Sequence, residues 1–194
     1  MYTKTENTEE LFNNSETNQI IKFYFRLNHL KHIYRKGWLL RGVPKELCES
    51  VAEHSYGVAI LAMIIGAKDY DDLNFKKLIE MALIHDIGEI YTGDVTPDDG
   101  IDPIKKLKNE KDAIKKTFSK LDFGKEFIEI LEEYQRNITI EAKLIHQIDK
   151  LEMVLQASVY QRMGYSNLEE FFSSVENLLT DPEIKEIFLE LKNI

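Results

Sequence analysis

Two histidines and two aspartates in this sequence have the types and spacing of ligands for a divalent cation. His85 and Asp86 are adjacent in a segment whose apolar residues recur at helical spacing. His54 and Asp149 belong to two other predicted helices. Burying an imidazole beside a carboxylate is costly unless a bound cation compensates both groups. Mixed nitrogen and oxygen ligands suit one manganese, cobalt, iron, nickel, zinc or magnesium ion and leave positions for water. The four residues therefore predict one metal site.

The spacing of apolar residues predicts that helices position these ligands. Nearly every segment repeats apolar residues at intervals of three and four, and no alternating run typical of a strand is present. The predicted helices span residues 18–36, 50–67, 74–91, 103–121, 124–136, 139–163, 167–179 and 182–192. Ser50 and Glu53 form a capping-box pattern at the start of the helix that carries His54. The fold is therefore predicted to be all-α, with three packed helices around the metal site.

The composition predicts a single cytoplasmic domain. We expect this domain over residues 18–194, behind a flexible polar tail of residues 1–17. The net charge of −9 argues against nucleic-acid binding, because a phosphate backbone attracts basic surfaces. The only cysteine, Cys48, excludes an internal disulfide and indicates a reducing compartment. The longest apolar run, residues 58–67, is too short to cross a membrane. Neither a nucleic acid nor a membrane is therefore expected as a partner.

Several motifs of the chain resemble those of the HD-domain metal-dependent phosphohydrolases. They read Val-Ala-Glu-His-Ser at 51–55, His-Asp-Ile-Gly-Glu at 85–89, Thr-Gly-Asp-Val-Thr-Pro at 92–97 and Gln-Ile-Asp-Lys-Leu-Glu-Met at 147–153. With Gly-Trp-Leu-Leu-Arg-Gly at 37–42, the chain is similar to the HD-domain-containing protein 2 group and to bacterial 5′-deoxynucleotidases. The resemblance extends from about residue 25 to residue 165.

This resemblance implies a single-domain α-helical enzyme, a homodimer, that removes phosphate from deoxyribonucleoside 5′-monophosphates with one divalent cation per site. Its metal ligands would be His54, His85, Asp86 and Asp149. Glu89 matches the position assigned to proton transfer or to the orientation of water, and Asp94 is the second catalytic candidate.

The resemblance also implies which residues contact the substrate. The substrate loop would consist of Asp94, Val95, Thr96 and Pro97. Trp38 would lie at the sugar side of the pocket, where a ring packed against C2′ leaves no space for a ribose hydroxyl. Some of these nucleotidases carry an arginine directly before that tryptophan, but this chain carries Gly37 there. Arg35 or Lys36 is therefore expected to orient the phosphate.

The residue types themselves favour direct hydrolysis by water that the cation activates. The sequence carries neither a Gly-rich phosphate cradle nor a Ser-His-Asp arrangement. Two alternatives share the metal site: a hydrolase of another phosphoester or pyrophosphate substrate, and a non-catalytic metal-binding interaction module. Glu89 disfavours the second, because a structural metal site does not need a carboxylate one helical turn beyond its ligands.

Overall fold

The computed structural model describes residues 2–5, 8, 17–68, 70 and 72–194, and within them the regular structure is helical, with two isolated β-bridges and no strand. This confirms the predicted all-α class. The α-helices in chain order are α1 (Gln19–Asn28), α2 (Lys36–Leu40), α3 (Val51–Gly66), α4 (Phe75–Ile84), α5 (Glu89–Thr92), α6 (Pro103–Phe118), α7 (Gly124–Arg136), α8 (Ile140–Arg162), α9 (Glu169–Val175) and α10 (Pro182–Lys192). Short 3₁₀ turns occupy His29–Lys31 and Pro97–Asp99. No helix in this part of the chain is long and apolar enough to cross a membrane.

Helix α8 is the central element of the bundle. It packs against α3, α4, α7, α9 and α10, and α3 also packs against α4. Apolar side chains of α8 such as Ile145, Ile148 and Leu151 are fully buried in these contacts. Burying a side chain of this size stabilises the fold by about 1.5–3 kcal/mol. The packing of α3, α4 and α8 therefore brings the three predicted ligand segments to one place.

The predicted capping box at the start of α3 is confirmed. The Ser50 hydroxyl accepts a hydrogen bond from the Glu53 backbone N–H at 3.3 Å, and Glu53 Oε2 accepts from the Ser50 N–H at 2.6 Å. These bonds satisfy backbone donors that the first helical turn would otherwise leave without partners. The cap fixes where α3 begins, and with it the position of His54 in the first turn.

Replacing the cap residue should destabilise the protein. We expect Ser50→Ala to lower the free energy of unfolding by about 1 kcal/mol, the usual contribution of such a cap. Urea unfolding followed by circular dichroism measures this change. Ser173→Ala, at an exposed serine of α9, is the matched control and should change stability by less than about 0.5 kcal/mol. Equal stability of the two variants would contradict a structural role for the cap.

The predicted helix over residues 18–36 ends earlier, at Asn28. The 3₁₀ turn at His29–Lys31 follows, and beyond it tertiary contacts satisfy the backbone groups: Ile33 forms a β-bridge with Thr3, and Tyr34 forms one with Ser50. Residues 2–4 thus contact the domain, whereas residues 1, 6, 7 and 9–16 of the predicted flexible tail lie outside the described residues. The domain boundary at residue 18 stays a prediction.

The predicted helix over residues 74–91 is divided into α4 and α5. Between them the backbone forms a tight turn, in which the N–H groups of Ile87 and Glu89 donate to the carbonyls three residues earlier at 3.0 and 2.9 Å. Hydrogen bonds of this 3₁₀ type wind the chain more tightly than an α-helix and alter which side chains share a face. His85 and Asp86 lie in this turn rather than on a continuous helix.

Candidate metal centre

His54 and His85 present one nitrogen each to a shared buried space. One ligand atom of each lies within 4.8 Å of the other and of a carboxylate oxygen of Asp149. The Nε2 atoms of both rings are buried and have no hydrogen-bond partner among the described residues. A buried polar atom without a partner is costly, so this arrangement indicates a ligand between the rings.

The opposite ring nitrogens are held by oxygen atoms. His54 Nδ1 lies 2.5 Å from Glu152 Oε2, and His85 Nδ1 lies 2.8 Å from the carbonyl oxygen of Ala82. A carbonyl or a carboxylate can only accept, so the Nδ1 atoms carry the ring protons in these bonds. This tautomer leaves the Nε2 lone pairs available to a metal ion.

Two carboxylates flank these lone pairs. Asp149 Oδ1 lies 3.1 Å from His54 Nε2, and Asp86 Oδ2 lies 3.3 Å from His85 Nε2 and 3.7 Å from His54 Nε2. Burial by itself would raise the pKa of Asp86, but the charge and hydrogen bonding of His85 hold it below its usual value. Burial would also raise the pKa of Asp149, but Lys150 and His54 outweigh burial and lower the pKa well below its usual value. Both carboxyl groups are therefore ionised, as metal ligation requires.

The two acidic neighbours of His54 favour its protonation. Burial and the charge of Arg35 lower the pKa of His54, but the contacts with the carboxylates of Asp149 and Glu152 outweigh them and raise it to about 9. A cation at Nε2 must displace the proton from that nitrogen. Metal uptake is therefore expected to be coupled to proton release.

Arg35 lies at this site and contacts two of its carboxylates. Its Nη1 is 3.1 Å from Asp94 Oδ1 and 3.6 Å from Asp86 Oδ2. Burial lowers the pKa of Arg35, but the charges of Asp94 and Asp86 outweigh this effect and raise the pKa well above its ordinary value. The guanidinium therefore remains charged. The backbone N–H of Lys36 also donates to Asp94, at 2.5 Å, whereas its amine pairs with Asp99. Of the two predicted phosphate-orienting residues, the structure places Arg35 next to the carboxylates.

Glu89 lies beside the same group of charges. Its Oε2 is buried and has no hydrogen-bond partner in the part of the chain that the structure describes. Burial, together with the charges of Asp86 and Asp94, raises the pKa of Glu89 well above its ordinary value. The raised pKa favours the protonated carboxyl group, which is the form that can donate a proton.

A cleft of about 440 Å³ opens next to Glu89. Val95 of the predicted substrate loop lines it, together with Lys106 and Asn109 of α6. Thr96 instead caps the short turn that begins at Pro97, because its backbone N–H and hydroxyl donate to Asp99 Oδ2. Val95 therefore lines the cleft, whereas Thr96 and Pro97 begin the short 3₁₀ turn of the loop.

The comparisons with known proteins agree with this geometry. Residues 27–191 match the family model described as HD domain. The chain belongs to the HD-domain family.

A human protein named 5′-deoxynucleotidase HDDC2 is 35% identical to this HD-domain protein over 185 residues, which cover 93% of this chain and 88% of the relative. The Saccharomyces cerevisiae protein named 5′-deoxynucleotidase YBR242W is 34% identical over 177 residues, 87% of this chain and 71% of the relative. A solved structure of a conserved hypothetical protein from Pyrococcus furiosus superposes with a TM-score of 0.76 at 33% identity, covering 90% of this chain and 99% of the other.

Trp38 of this HD-domain protein, which we expected at the sugar side of the pocket, is a buried residue. Only 2% of its surface is exposed, and its ring packs between Tyr160 and Phe171. Its Nε1–H donates to Glu49 Oε1 at 2.7 Å. The ring therefore offers no face to a sugar in this structure, and its connection with the metal centre runs through Glu49, whose side chain approaches His54 and Glu152.

Two residues behind the HD-domain site, Glu49 and Glu152, were not predicted as part of it. Burial and the charge of Glu152 raise the pKa of Glu49 to about 7. The available signal for Glu152 was its position one helical turn after Asp149, which places both carboxylates on the same face of α8. Glu49 lies in a loop before α3, where no periodic pattern identifies it.

Proposed function

We propose that this protein is a metal-dependent 5′-deoxynucleotidase, which hydrolyses deoxyribonucleoside 5′-monophosphates to deoxynucleosides and phosphate. The observation that carries this proposal is the pair of buried imidazole Nε2 atoms that face two ionised carboxylates. The names of the human and yeast relatives supply the substrate class. The proposed ligands of the cation are His54, His85, Asp86 and Asp149.

The residues around the proposed ligands support hydrolysis. When bound, a divalent cation would lower the pKa of a water molecule and offset negative charge on the phosphate. Arg35 would orient the phosphate, since its planar guanidinium forms paired hydrogen bonds with such oxygens. Glu89 would give its proton to the leaving 5′-oxygen, and Asp94, which holds Arg35, is the second candidate for proton transfer.

The assembly and the location of the enzyme are parts of the same proposal. We expect a homodimer in the cytoplasm that acts on a small nucleotide rather than on a nucleic acid. The net charge of −9 supports the last point, because such a surface repels a phosphate backbone. Light scattering on the purified protein would measure its mass in solution.

Two other functions use the same residues. A hydrolase of another phosphoester or of a pyrophosphate would keep the cation and change only the walls of the cleft. A non-catalytic metal-binding module would need no proton donor. The buried carboxyl group of Glu89, with its raised pKa, favours an enzyme over the second alternative. A panel of nucleotides assayed for phosphate and pyrophosphate release with several divalent cations separates all three functions.

The decisive comparison within this panel is between matched deoxyribonucleotides and ribonucleotides. We expect kcat/KM for dAMP to exceed that for AMP at least about tenfold, because the human and yeast relatives are named 5′-deoxynucleotidases. A tenfold ratio corresponds to about 1.4 kcal/mol of transition-state stabilisation. The ratio is measured with the same cation and the same enzyme preparation. Equal values would reject a deoxynucleotidase while leaving an HD-domain hydrolase in place. Release of pyrophosphate from another nucleotide would identify the first alternative.

A further inference from the structure

We infer that Glu152, for which Gly57 leaves space, is a positioning residue that holds His54 in the orientation and tautomer needed to bind the cation. The inference rests on the proposed metal-dependent function. It concerns residues outside the proposed ligand set. It also explains why a glycine, which is unfavourable inside a helix, lies within α3.

The contact between Glu152 and His54 is short and shielded from water. Glu152 Oε2 lies 2.5 Å from His54 Nδ1, and the two residues are 8% and 0% exposed. Because the carboxylate accepts the Nδ1 proton, the Nε2 lone pair is directed toward Asp149 and His85. Without this acceptor, Asp149 at Nε2 would remain as a charged partner, and it favours a proton on the nitrogen that the cation needs.

Gly57 allows Glu152 to make this contact. A Cβ atom at position 57 would lie 2.6 Å from Glu152 Oε1 and 3.2 Å from its Cγ and Cδ atoms. Any side chain there would therefore push the carboxylate out of its present position. The backbone of Gly57 is helical and lies in the middle of α3, where glycine is less favourable than alanine. The close approach of Glu152 is thus the physical reason for glycine at this position.

Glu49 lies next to Glu152 and His54. One carboxylate oxygen of each residue and a ring nitrogen of His54 lie within 4.8 Å of one another. Glu49 is in turn fixed at both ends: its Oε1 accepts from Trp38 Nε1–H at 2.7 Å, and its backbone N–H donates to the Tyr160 hydroxyl at 3.0 Å. Side chains of α2 and α8 therefore hold Glu49 in place.

Metal affinity tests the role of Glu152 directly. The metal-free protein is titrated with Co²⁺ or Mn²⁺, and the Kd is determined by calorimetry. We expect Glu152→Ala and Gly57→Ala each to weaken metal binding by about 10–100-fold, the usual effect of losing a partner that orients a metal ligand. In the Glu152→Ala background, Gly57→Ala should have no further effect, because the carboxylate on which it acts is gone. Glu152→Met, which nearly keeps the side-chain volume but has no oxygen to accept the Nδ1 proton, provides the same measurement if the alanine variant does not fold.

Gly66→Ala is the matched control on the same helix. Its added Cβ would lie 2.5 Å from Leu78 Cδ2, so it strains an apolar contact as closely as Gly57→Ala strains the contact with Glu152. It should lower the unfolding temperature of the metal-free protein but leave the metal Kd within about twofold. An equal loss of metal affinity in Gly66→Ala would overturn the specific role of Gly57, and so would additive effects in the double variant.

The result with a ligand variant separates this inference from the proposed function. If Asp149→Ala loses the metal while the Glu152 variants keep the wild-type Kd, the role of Glu152 is wrong and the metal site stands. If Asp149→Ala also binds metal with the wild-type Kd, the proposed metal site itself is wrong.

Discussion

His85→Ala and Asp86→Ala should each abolish metal binding and phosphate release. Each change removes one proposed ligand from a pair whose Nε2 and Oδ2 atoms lie 3.3 Å apart. Because losing a residue that merely orients a ligand costs about 10–100-fold, losing a ligand should reduce activity by more than that. Metal content after dialysis and phosphate release from dAMP measure the two effects. The wild-type enzyme treated with a chelator should behave like the variants and regain activity when the cation is restored.

A histidine outside the metal centre provides the control for this prediction. The side chain of His32 contacts Asn28, with 3.4 Å between Nε2 and Asn28 Nδ2, and not the proposed metal ligands. His32→Ala should therefore keep stoichiometric metal. If His85→Ala and Asp86→Ala retain both metal and near-normal turnover, the ligand assignment is wrong. Loss of activity with full metal content would instead place these residues in substrate binding.

Glu89→Gln should retain the metal while kcat falls by roughly a hundredfold or more, the scale expected for a positioned proton donor or acceptor. The amide keeps the shape of the side chain but cannot transfer a proton. Glu89 is not one of the four proposed ligands, so metal content should not change. Steady-state kinetics with dAMP, together with metal analysis of the same preparations, measure the prediction.

Glu110 offers a matched control for Glu89. It lines the same cleft, and burial raises its pKa although Lys106 opposes that effect. Glu110→Gln should therefore leave kcat within a few-fold of the wild-type value, because Glu110 is not adjacent to the imidazoles. Wild-type kcat in Glu89→Gln would move proton transfer to Asp94, and Asp94→Asn would then be the next variant to measure.

Local chemistry made much of this protein predictable from its sequence. The three- and four-residue apolar spacing specifies helices, and the Ser50 and Glu53 cap specifies where α3 begins, because both depend on residues close together in the chain. The types of the four proposed ligands are likewise visible without a fold. The motifs around them resemble those of HD-domain proteins, and the match over residues 27–191 confirms that resemblance.

Tertiary contacts decided the features that the sequence could not predict. The end of α1 and the turn at His85 replace predicted helix, because backbone groups there bond to distant segments or to carbonyls three residues earlier. Trp38 beside a glycine is compatible with a pocket wall or with a core, and only the packing of α2 against α8 and Phe171 buries it. Glu152 and Gly57 acquire their relation to His54 only when α3 and α8 pack closely. Sequence spacing identifies residues that share one helix face, whereas contacts between helices depend on how every other buried side chain fills the space between them.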